Sequence, residues 1–141
     1  MSSSVLVRDV MSKNMKTARP DSKLREVIQK MIKFNIGSVI VMKRGKPTGI
    51  ITERDVLESL VEINRSMDLT EAKDIMSGPL ITIEEYADIE QASKLMLKNK
   101  IKKLPVVNDG NLIGIITTSD IVRATELLTG TLKELSKIGR K

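Results

Sequence analysis

Residues 49–55 read Gly-Ile-Ile-Thr-Glu-Arg-Asp, and residues 114–120 read Gly-Ile-Ile-Thr-Thr-Ser-Asp. The two segments lie 65 positions apart, and the same offset aligns the lead Asp9–Ser12 with Asp74–Ser77 without a gap. A duplication that keeps its register over a whole unit indicates two copies of one structural module. The repeated Gly–apolar–apolar–Thr–x–x–Asp signature is the part that decides the fold.

Both copies carry the same order of predicted elements around this signature. A lead with helical spacing precedes a short extended piece, an amphipathic helix, two apolar strands around a glycine turn, and a second helix. We expect Asp21 or Ser22 to cap the first amphipathic helix, and Asp109-Gly110 is typical of a hairpin turn. The sequence therefore predicts an α/β fold of two β-α-β-β-α units, over residues 1–66 and 67–141, with a further helix after Gly130.

The composition excludes several classes of chemistry. The 141 residues include no His and no Cys, which rules out zinc sites with those ligands, histidine bases and thiol nucleophiles. We predict no catalytic residue and no metal site. The net charge of +6 favours anionic partners, but Phe34 and Tyr86 are the only aromatic residues, too few for stacking on single-stranded nucleic acid.

The sequence also bears on cellular location. No run approaches the roughly 20 apolar residues of a membrane helix, and the start lacks the features of a signal peptide. The lack of Cys leaves no disulfide framework. We expect a cytoplasmic protein with no membrane partner.

The junction between strand and helix in the signature has the chemistry of a nucleotide site. Thr52 ends a predicted strand, and Asp55 lies in the first turn of the next helix. Unpaired N–H groups and a hydroxyl suit a phosphate, and a carboxylate suits the hydroxyl pair of a ribose. The alternative is that Thr and Asp only cap the helix, because a duplication copies a structural cap as well.

The pattern resembles the cystathionine-β-synthase (CBS) domain, present in tandem as a Bateman module. The resemblance runs from about Val5 to about Leu128 and rests on the doubled signature, the Asp-Val/Ile-Met-Ser lead, and residues 101–110. It implies two units related by a pseudo-twofold axis, with two clefts for AMP, ADP, ATP or S-adenosylmethionine-like molecules. Such a ligand would be regulatory, with no cofactor required, and a homodimer is expected.

The resemblance also assigns site residues by position. Asp55 and Asp120 would hold ribose hydroxyls, and the other expected ligand contacts are Thr52 and Thr117 for phosphate or ribose, Thr17-Ala18 and Thr82-Ile83 for adenine, and Lys102 and Lys103 for phosphate. The first unit has Gly37 and Ser38 at the lysine positions and instead carries Arg54 beside Asp55. We therefore expect the second cleft, with Asp120, to prefer ligands with more phosphate. The alternative is that the lysines belong to a solvated face.

Several functions stay open from the sequence alone. The leading one is a sensor that binds adenosine-containing ligands and regulates a separately encoded protein or buffers a ligand. The first alternative is nucleic-acid binding by the basic surface, although no helix-turn-helix or other reader motif is present. Others are an enzyme with Asp55 and Asp120 as an acid/base pair, which no nucleophile accompanies, and a structural interaction module with empty clefts.

Overall fold

A computed structural model describes residues 5–62 and 66–126 of the chain. The first copy consists of α1 (Val7–Val10), β1 (Thr17–Ala18), α2 (Leu24–Phe34), β2 (Ser38–Lys43), β3 (Lys46–Thr52) and α3 (Glu53–Glu62). The second consists of α4 (Ala72–Ile75), β4 (Ile83–Glu84), α5 (Ile89–Asn99), β5 (Lys103–Asn108), β6 (Asn111–Thr117) and a helix α6 over residues 118–126. The predicted order of elements is confirmed, whereas the helix predicted after Gly130 lies outside the described residues.

The two sheets have the same topology and the same register. Each has three strands, in the order β1-β2-β3 and β4-β5-β6, with a parallel first pair and an antiparallel second pair. Val41 pairs with Gly49 in one sheet, and Val106 pairs with Gly114 in the other, so the 65-residue offset holds strand by strand. The hairpin at Asp109-Gly110 is confirmed, with positive φ angles of 52° and 79° that suit a tight two-residue turn.

The start of α2 differs from the sequence prediction. The helix begins after Lys23, and no side chain caps it, so the expectation of Asp21 or Ser22 as the cap was wrong. The Leu24 N–H donates instead to the Thr70 carbonyl at 2.8 Å, which belongs to the lead of the second unit. The first N–H of α5 likewise donates to the Val5 carbonyl at 3.1 Å, although here the Asp88 side chain also caps the helix. Backbone from the other unit thus accepts the first N–H of both α2 and α5.

The lead helices exchange places between the two hydrophobic cores. Val7 of α1 has no exposed surface and packs with the core of the second unit, beside Leu104, Val106 and Ile116. Ala72 of α4 is equally buried in the core of the first unit. Neither unit completes its own core, so the two copies must fold onto each other to bury their apolar surface.

Backbone hydrogen bonds fix this exchange in a reciprocal way. Ser12 and Ile115 exchange two backbone bonds, at 2.8 and 2.9 Å. The equivalent pair, Ser77 and Ile50, exchanges two bonds at 2.9 and 3.4 Å. When residue i of one copy contacts residue j of the other, and the reverse holds too, the copies are related by a twofold axis. The chain therefore contains an internal pseudo-twofold axis, as predicted.

The glycine of each signature is needed where a lead crosses the sheet. A Cβ on Gly49 would lie 2.5 Å from the Met76 sulfur, and a Cβ on Gly114 would lie 2.7 Å from the Met11 sulfur. Both distances are far inside van der Waals contact. The repeated glycine and the repeated Met of the lead are thus two halves of one packing contact.

Helix lengths in the described ranges, 5–62 and 66–126, also bear on membranes. No helix there is both long enough and apolar enough to cross a bilayer.

We predict that Gly49→Ala lowers the free energy of unfolding by about 1–3 kcal/mol, because the added methyl overpacks the contact with Met76. Urea denaturation measures the change. Gly78→Ala is the control, since nothing lies within 4 Å of a Cβ at that position. In the double variant Gly49→Ala/Met76→Ala, the loss should be smaller than the sum of the single losses. Strictly additive losses would show that the glycine is not required by the Met contact.

Candidate functional site

The larger cleft lies between the two units and has a volume of about 560 Å³. The first unit contributes its signature, from Thr52 to Asp55, and the second contributes Ser77, Pro79–Ile81 and the segment Lys100–Lys103. The volume lies within the range of about 300–1,000 Å³ that is typical of small-molecule sites. We call this cavity the Asp55 cleft.

A smaller cleft of about 200 Å³ occupies the position related by the pseudo-twofold axis. Thr117 and Asp120 replace Thr52 and Asp55 there, and the lead of the first unit supplies Ser12, Asn14 and Met15. We call it the Asp120 cleft. Each cleft thus joins the signature of one unit to the lead of the other, as a direct result of the exchange.

Thr and Asp of each signature form a reciprocal cap at the helix start. The Thr52 N–H and hydroxyl donate to Oδ2 of Asp55 at 2.8 and 3.0 Å, and the Asp55 N–H donates to the Thr52 hydroxyl at 3.3 Å. Thr117 and Asp120 make the same three bonds at 2.8, 3.0 and 3.1 Å. The capping interpretation is therefore correct for one carboxylate oxygen in each copy.

The other carboxylate oxygen, Oδ1, has a different partner in each cleft. Oδ1 of Asp55 accepts a bond of 3.0 Å from the Ser77 hydroxyl, which belongs to the lead of the second unit. Oδ1 of Asp120 accepts from the Arg123 guanidinium, and Asp120 is only 7% exposed. A ligand hydroxyl can displace a neutral Ser hydroxyl more easily than a charged Arg group. Asp55 is therefore the more available of the two carboxylates.

The cap leaves little capacity for phosphate at the helix start. The Thr52 hydroxyl already donates its proton to Asp55, and the Glu53 N–H donates to the Gly37 carbonyl at 3.2 Å. Similarly, the Thr118 N–H donates to the Lys102 carbonyl at 3.0 Å. A phosphate in either cleft would need cationic side chains rather than the Thr hydroxyl expected from the sequence.

The cationic side chains gather in the Asp55 cleft. Its lining includes two carboxylates, Glu53 and Asp55, and four cations: Arg54, Lys100, Lys102 and Lys103. The lining of the Asp120 cleft has Lys103 as its cation and Asp120 as its acid. The expected placement of both lysines at the second cleft was wrong for Lys102, which lines only the Asp55 cleft, whereas Lys103 lines both clefts. The phosphate preference expected of the second cleft stays a prediction.

Of the four cationic side chains that line the Asp55 cleft, Lys103 is the least exposed to water. It is half-buried, and its burial lowers the pKa of the ammonium group, while the nearby Glu53 carboxylate opposes that change. The Lys103 ammonium lies close to Gly37, where an added Cβ would be 2.8 Å from Nζ and 3.2 Å from Oε1 of Glu53. A glycine at position 37 is what leaves room for this side chain.

Among the described residues, the walls of the two clefts do not include four positions that were expected at the adenine: Thr17, Ala18, Thr82 and Ile83. Ala18 and Ile83 are buried in the hydrophobic cores instead, and the Thr17 carbonyl accepts a bond from the Lys30 ammonium. The apolar part of the Asp55 cleft includes Pro79–Ile81, one to three residues before Thr82. The lead reaches the cleft wall before the strand begins.

Besides these apolar residues, the structure adds Ser77, Lys100 and Gly37 to the predicted site. Ser77 contacts Asp55, Lys100 lines the larger cleft, and Gly37 lines both clefts. Ser77 belongs to the repeated Asp-Ile-Met-Ser lead, so its repetition was a usable signal. The contact itself requires knowledge of the exchange. In the described part of the chain, no group of three acidic side chains is arranged to hold a metal ion.

Comparison with known proteins places the chain among CBS-domain proteins. A family model described as CBS domain matches residues 7–62 and 72–126. The chain is 40% identical over 136 residues to Uncharacterized protein MK0525 of Methanopyrus kandleri, covering 95% of the chain and 69% of that protein. The crystal structure of the CBS domain pair of protein MJ0100, in complex with 5'-methylthioadenosine and S-adenosyl-L-methionine, matches with a TM-score of 0.78 at 32% identity, over 86% of this chain and 99% of that one.

A more distant neighbour supports the fold alone. The crystal structure of CBSX2 in complex with AMP has a TM-score of 0.77 at 23% identity, over 89% of this chain and 98% of that one.

We predict that Asp120→Ala lowers the free energy of unfolding by about 2 kcal/mol or more, and Asp55→Ala by about 1 kcal/mol. Both variants lose the cap, but only Asp120→Ala also removes the buried acceptor of a charged guanidinium. Chemical denaturation of the two variants gives the comparison. An Asp55→Ala loss equal to or larger than the Asp120→Ala loss would contradict the difference in environment.

Proposed function

The chain belongs to the CBS-domain family, and we propose that it acts as a regulatory CBS pair that binds an adenosine-containing ligand in the Asp55 cleft. The observation that carries this proposal is the composition of the cleft wall. One wall offers a carboxylate oxygen held by a single neutral hydroxyl, another is apolar, and a third is cationic. An adenosine ligand has one group that matches each wall.

The ribose would bind at Oδ1 of Asp55. The Ser77 hydroxyl occupies this oxygen at 3.0 Å, and the Oδ2 atom stays bound in the cap. A ribose hydroxyl makes the same kind of hydrogen bond as the Ser77 hydroxyl. Replacing Ser77 by the ribose therefore leaves no buried acceptor unsatisfied. This ligand would use the cap as a fixed support instead of breaking it.

The base and the phosphate would occupy the remaining walls. Leu80 and Ile81 provide apolar surface for an adenine ring, and both are partly buried. Phosphate oxygens would contact the cationic group of Arg54, Lys100 and Lys102. Arg54 is paired with Glu58 on an exposed helix turn, and exposed pairs of this kind exchange partners at little cost.

A structural neighbour supports the ligand class. The MJ0100 pair, 32% identical to this chain, was crystallised with 5'-methylthioadenosine and S-adenosyl-L-methionine. These ligands share adenosine and differ in charge. The four cations of the Asp55 cleft lead us to propose a phosphate-bearing member of the class, such as AMP, ADP or ATP, ahead of S-adenosylmethionine.

We further propose that the protein is a homodimer that pairs through its helices. Large apolar side chains are exposed at equivalent positions of the two units: Ile32 and Leu97 are 75% and 79% exposed, and Leu57 and Val122 are 63% and 51% exposed. Val61 adds to the surface on α3 at 81%. Apolar side chains repeated in this way on helices mark a surface that another subunit can cover.

We predict that AMP stabilises the protein by about 2.7 kcal/mol at a concentration 100 times its Kd, seen as a rise in Tm of several degrees. Asp55→Asn should lower the affinity for AMP at least tenfold, because an amide group loses the charged acceptor. Calorimetry with AMP and 2'-deoxy-AMP measures both effects. The wild type should prefer AMP, and the variant should bind both compounds alike.

The control for this experiment is the unfolding midpoint of the Asp55→Asn variant, which should be unchanged because Asn also caps helices well. Equal binding of AMP and 2'-deoxy-AMP by the wild type would contradict the role of Asp55. If no adenosine compound binds at millimolar concentration, the structural module with empty clefts is the better interpretation.

For the homodimer, we predict a mass of twice 15.7 kDa in sedimentation equilibrium. Ile32→Lys/Leu57→Lys should shift the protein to the monomer, because it places two charges in the apolar interface. Asn108→Lys adds a charge to an exposed residue at the end of β5, and it should leave the dimer intact. A dimer that tolerates the helix substitutions would show that another surface pairs the subunits.

A further inference from the structure

Lys103 stands between the two clefts. Within the described residues, Lys103 and Gly37 are the two positions that line both the Asp55 cleft and the Asp120 cleft. Glycine has no side chain to offer a ligand. The single charged group in common to the two clefts is therefore the ammonium of Lys103.

This arrangement breaks the internal symmetry of the chain. The position equivalent to Lys103 is Ser38, which lines only the Asp120 cleft. A long side chain from position 103 passes beside Gly37, where the missing Cβ leaves the space that Nζ occupies. At the position equivalent to Gly37 the second unit has Lys102. One lysine thus reaches a place that belongs to both clefts.

The Lys103 ammonium has no tight partner in the part of the chain that the structure describes. Neither a hydrogen bond nor a carboxylate within 4.0 Å holds Nζ there, although the Glu53 side chain is near. A half-buried cation without a close counter-ion favours an anion that comes within contact distance. A phosphate entering either cleft could supply that anion.

We propose that Lys103 is a shared anion ligand of both clefts, so that a phosphate-bearing ligand in one cleft weakens the binding of a second one in the other. The ammonium has three N–H donors but a single positive charge, so a phosphate that already neutralises this charge leaves less attraction for a second one. The first ligand would take the Asp55 cleft, where three further cations assist, and the second would bind the Asp120 cleft without Lys103. This inference rests on the proposed adenosine ligands and adds a coupling between the two sites.

The test compares the affinity of the Asp120 cleft for AMP in two states. In one state AMP occupies the Asp55 cleft, and in the other the Asp55 cleft is blocked. Leu80→Trp places a large ring in the Asp55 cleft, and Met15→Trp, at the equivalent position, blocks the Asp120 cleft instead. Calorimetry then gives the affinity of each cleft alone for AMP. The two-step titration of the wild type gives the affinity of the Asp120 cleft after the first AMP has bound.

We expect the second AMP to bind the wild type about tenfold or more weakly than AMP binds the Asp120 cleft of Leu80→Trp. Adenosine, which lacks the phosphate, should show no such gap. Lys103→Ser copies the residue at Ser38 and should fold normally. In Lys103→Ser, the Asp120 cleft should bind the second AMP as tightly as it binds AMP in Lys103→Ser/Leu80→Trp, where the Asp55 cleft is blocked.

Four results would overturn the coupling while leaving the proposed function intact. These are a wild type that binds one AMP while Leu80→Trp binds none, a wild type that binds two AMP molecules without the gap, a gap of the same size with adenosine, and a gap that persists in Lys103→Ser. The last result would assign the coupling to direct repulsion between the two phosphates. Failure of the wild type to bind AMP and adenosine at all would overturn the proposed function, and the coupling with it.

Discussion

A close contact between a methionine of each lead and the signature glycine of the other unit determines how the two units pack. Met76 lies over Gly49 and Met11 lies over Gly114, at distances where any other residue would clash. These contacts let each lead cross to the other unit, where Val7 and Ala72 complete the opposite core. Because each unit lacks part of its own core, the pseudo-twofold arrangement is a condition of folding and not a later docking of two finished domains.

The same crossing builds the clefts and also makes them unequal. Both contain the same Thr–Asp cap, yet a few positions outside the signature set their chemistry. Lys102 and Lys103 stand where the first unit has Gly37 and Ser38. Lys102 adds charge to the Asp55 cleft, and Lys103 adds charge to both clefts. In the Asp120 cleft, the Arg123 guanidinium donates to the Asp120 carboxylate. The result is one roomy cationic cleft with an available carboxylate and one narrow cleft of balanced charge, from a duplication whose backbone register is identical.

Much of the fold was predictable from the sequence, because the doubled signature fixes the units, the strand register and the turn at Asp109-Gly110. The site was predictable only in part. The Thr and Asp of each signature line the clefts, whereas Ala18 and Ile83, which were expected there, are buried in the hydrophobic cores. Lys102 was assigned to the second cleft but lines the Asp55 cleft, and the reason is physical. Periodicity describes each unit separately, whereas the exchange of leads is a long-range contact that no local pattern carries.

We propose that a single adenosine ligand contacts both halves of the chain at once, and a crystal structure of the protein with AMP would show whether it does. We expect ribose oxygens at Asp55 in the first unit, with the adenine against Leu80 and Ile81 and the phosphate near Lys102, all three in the second unit. A ligand held by residues of one unit alone, or bound outside the two clefts, would disprove this binding mode.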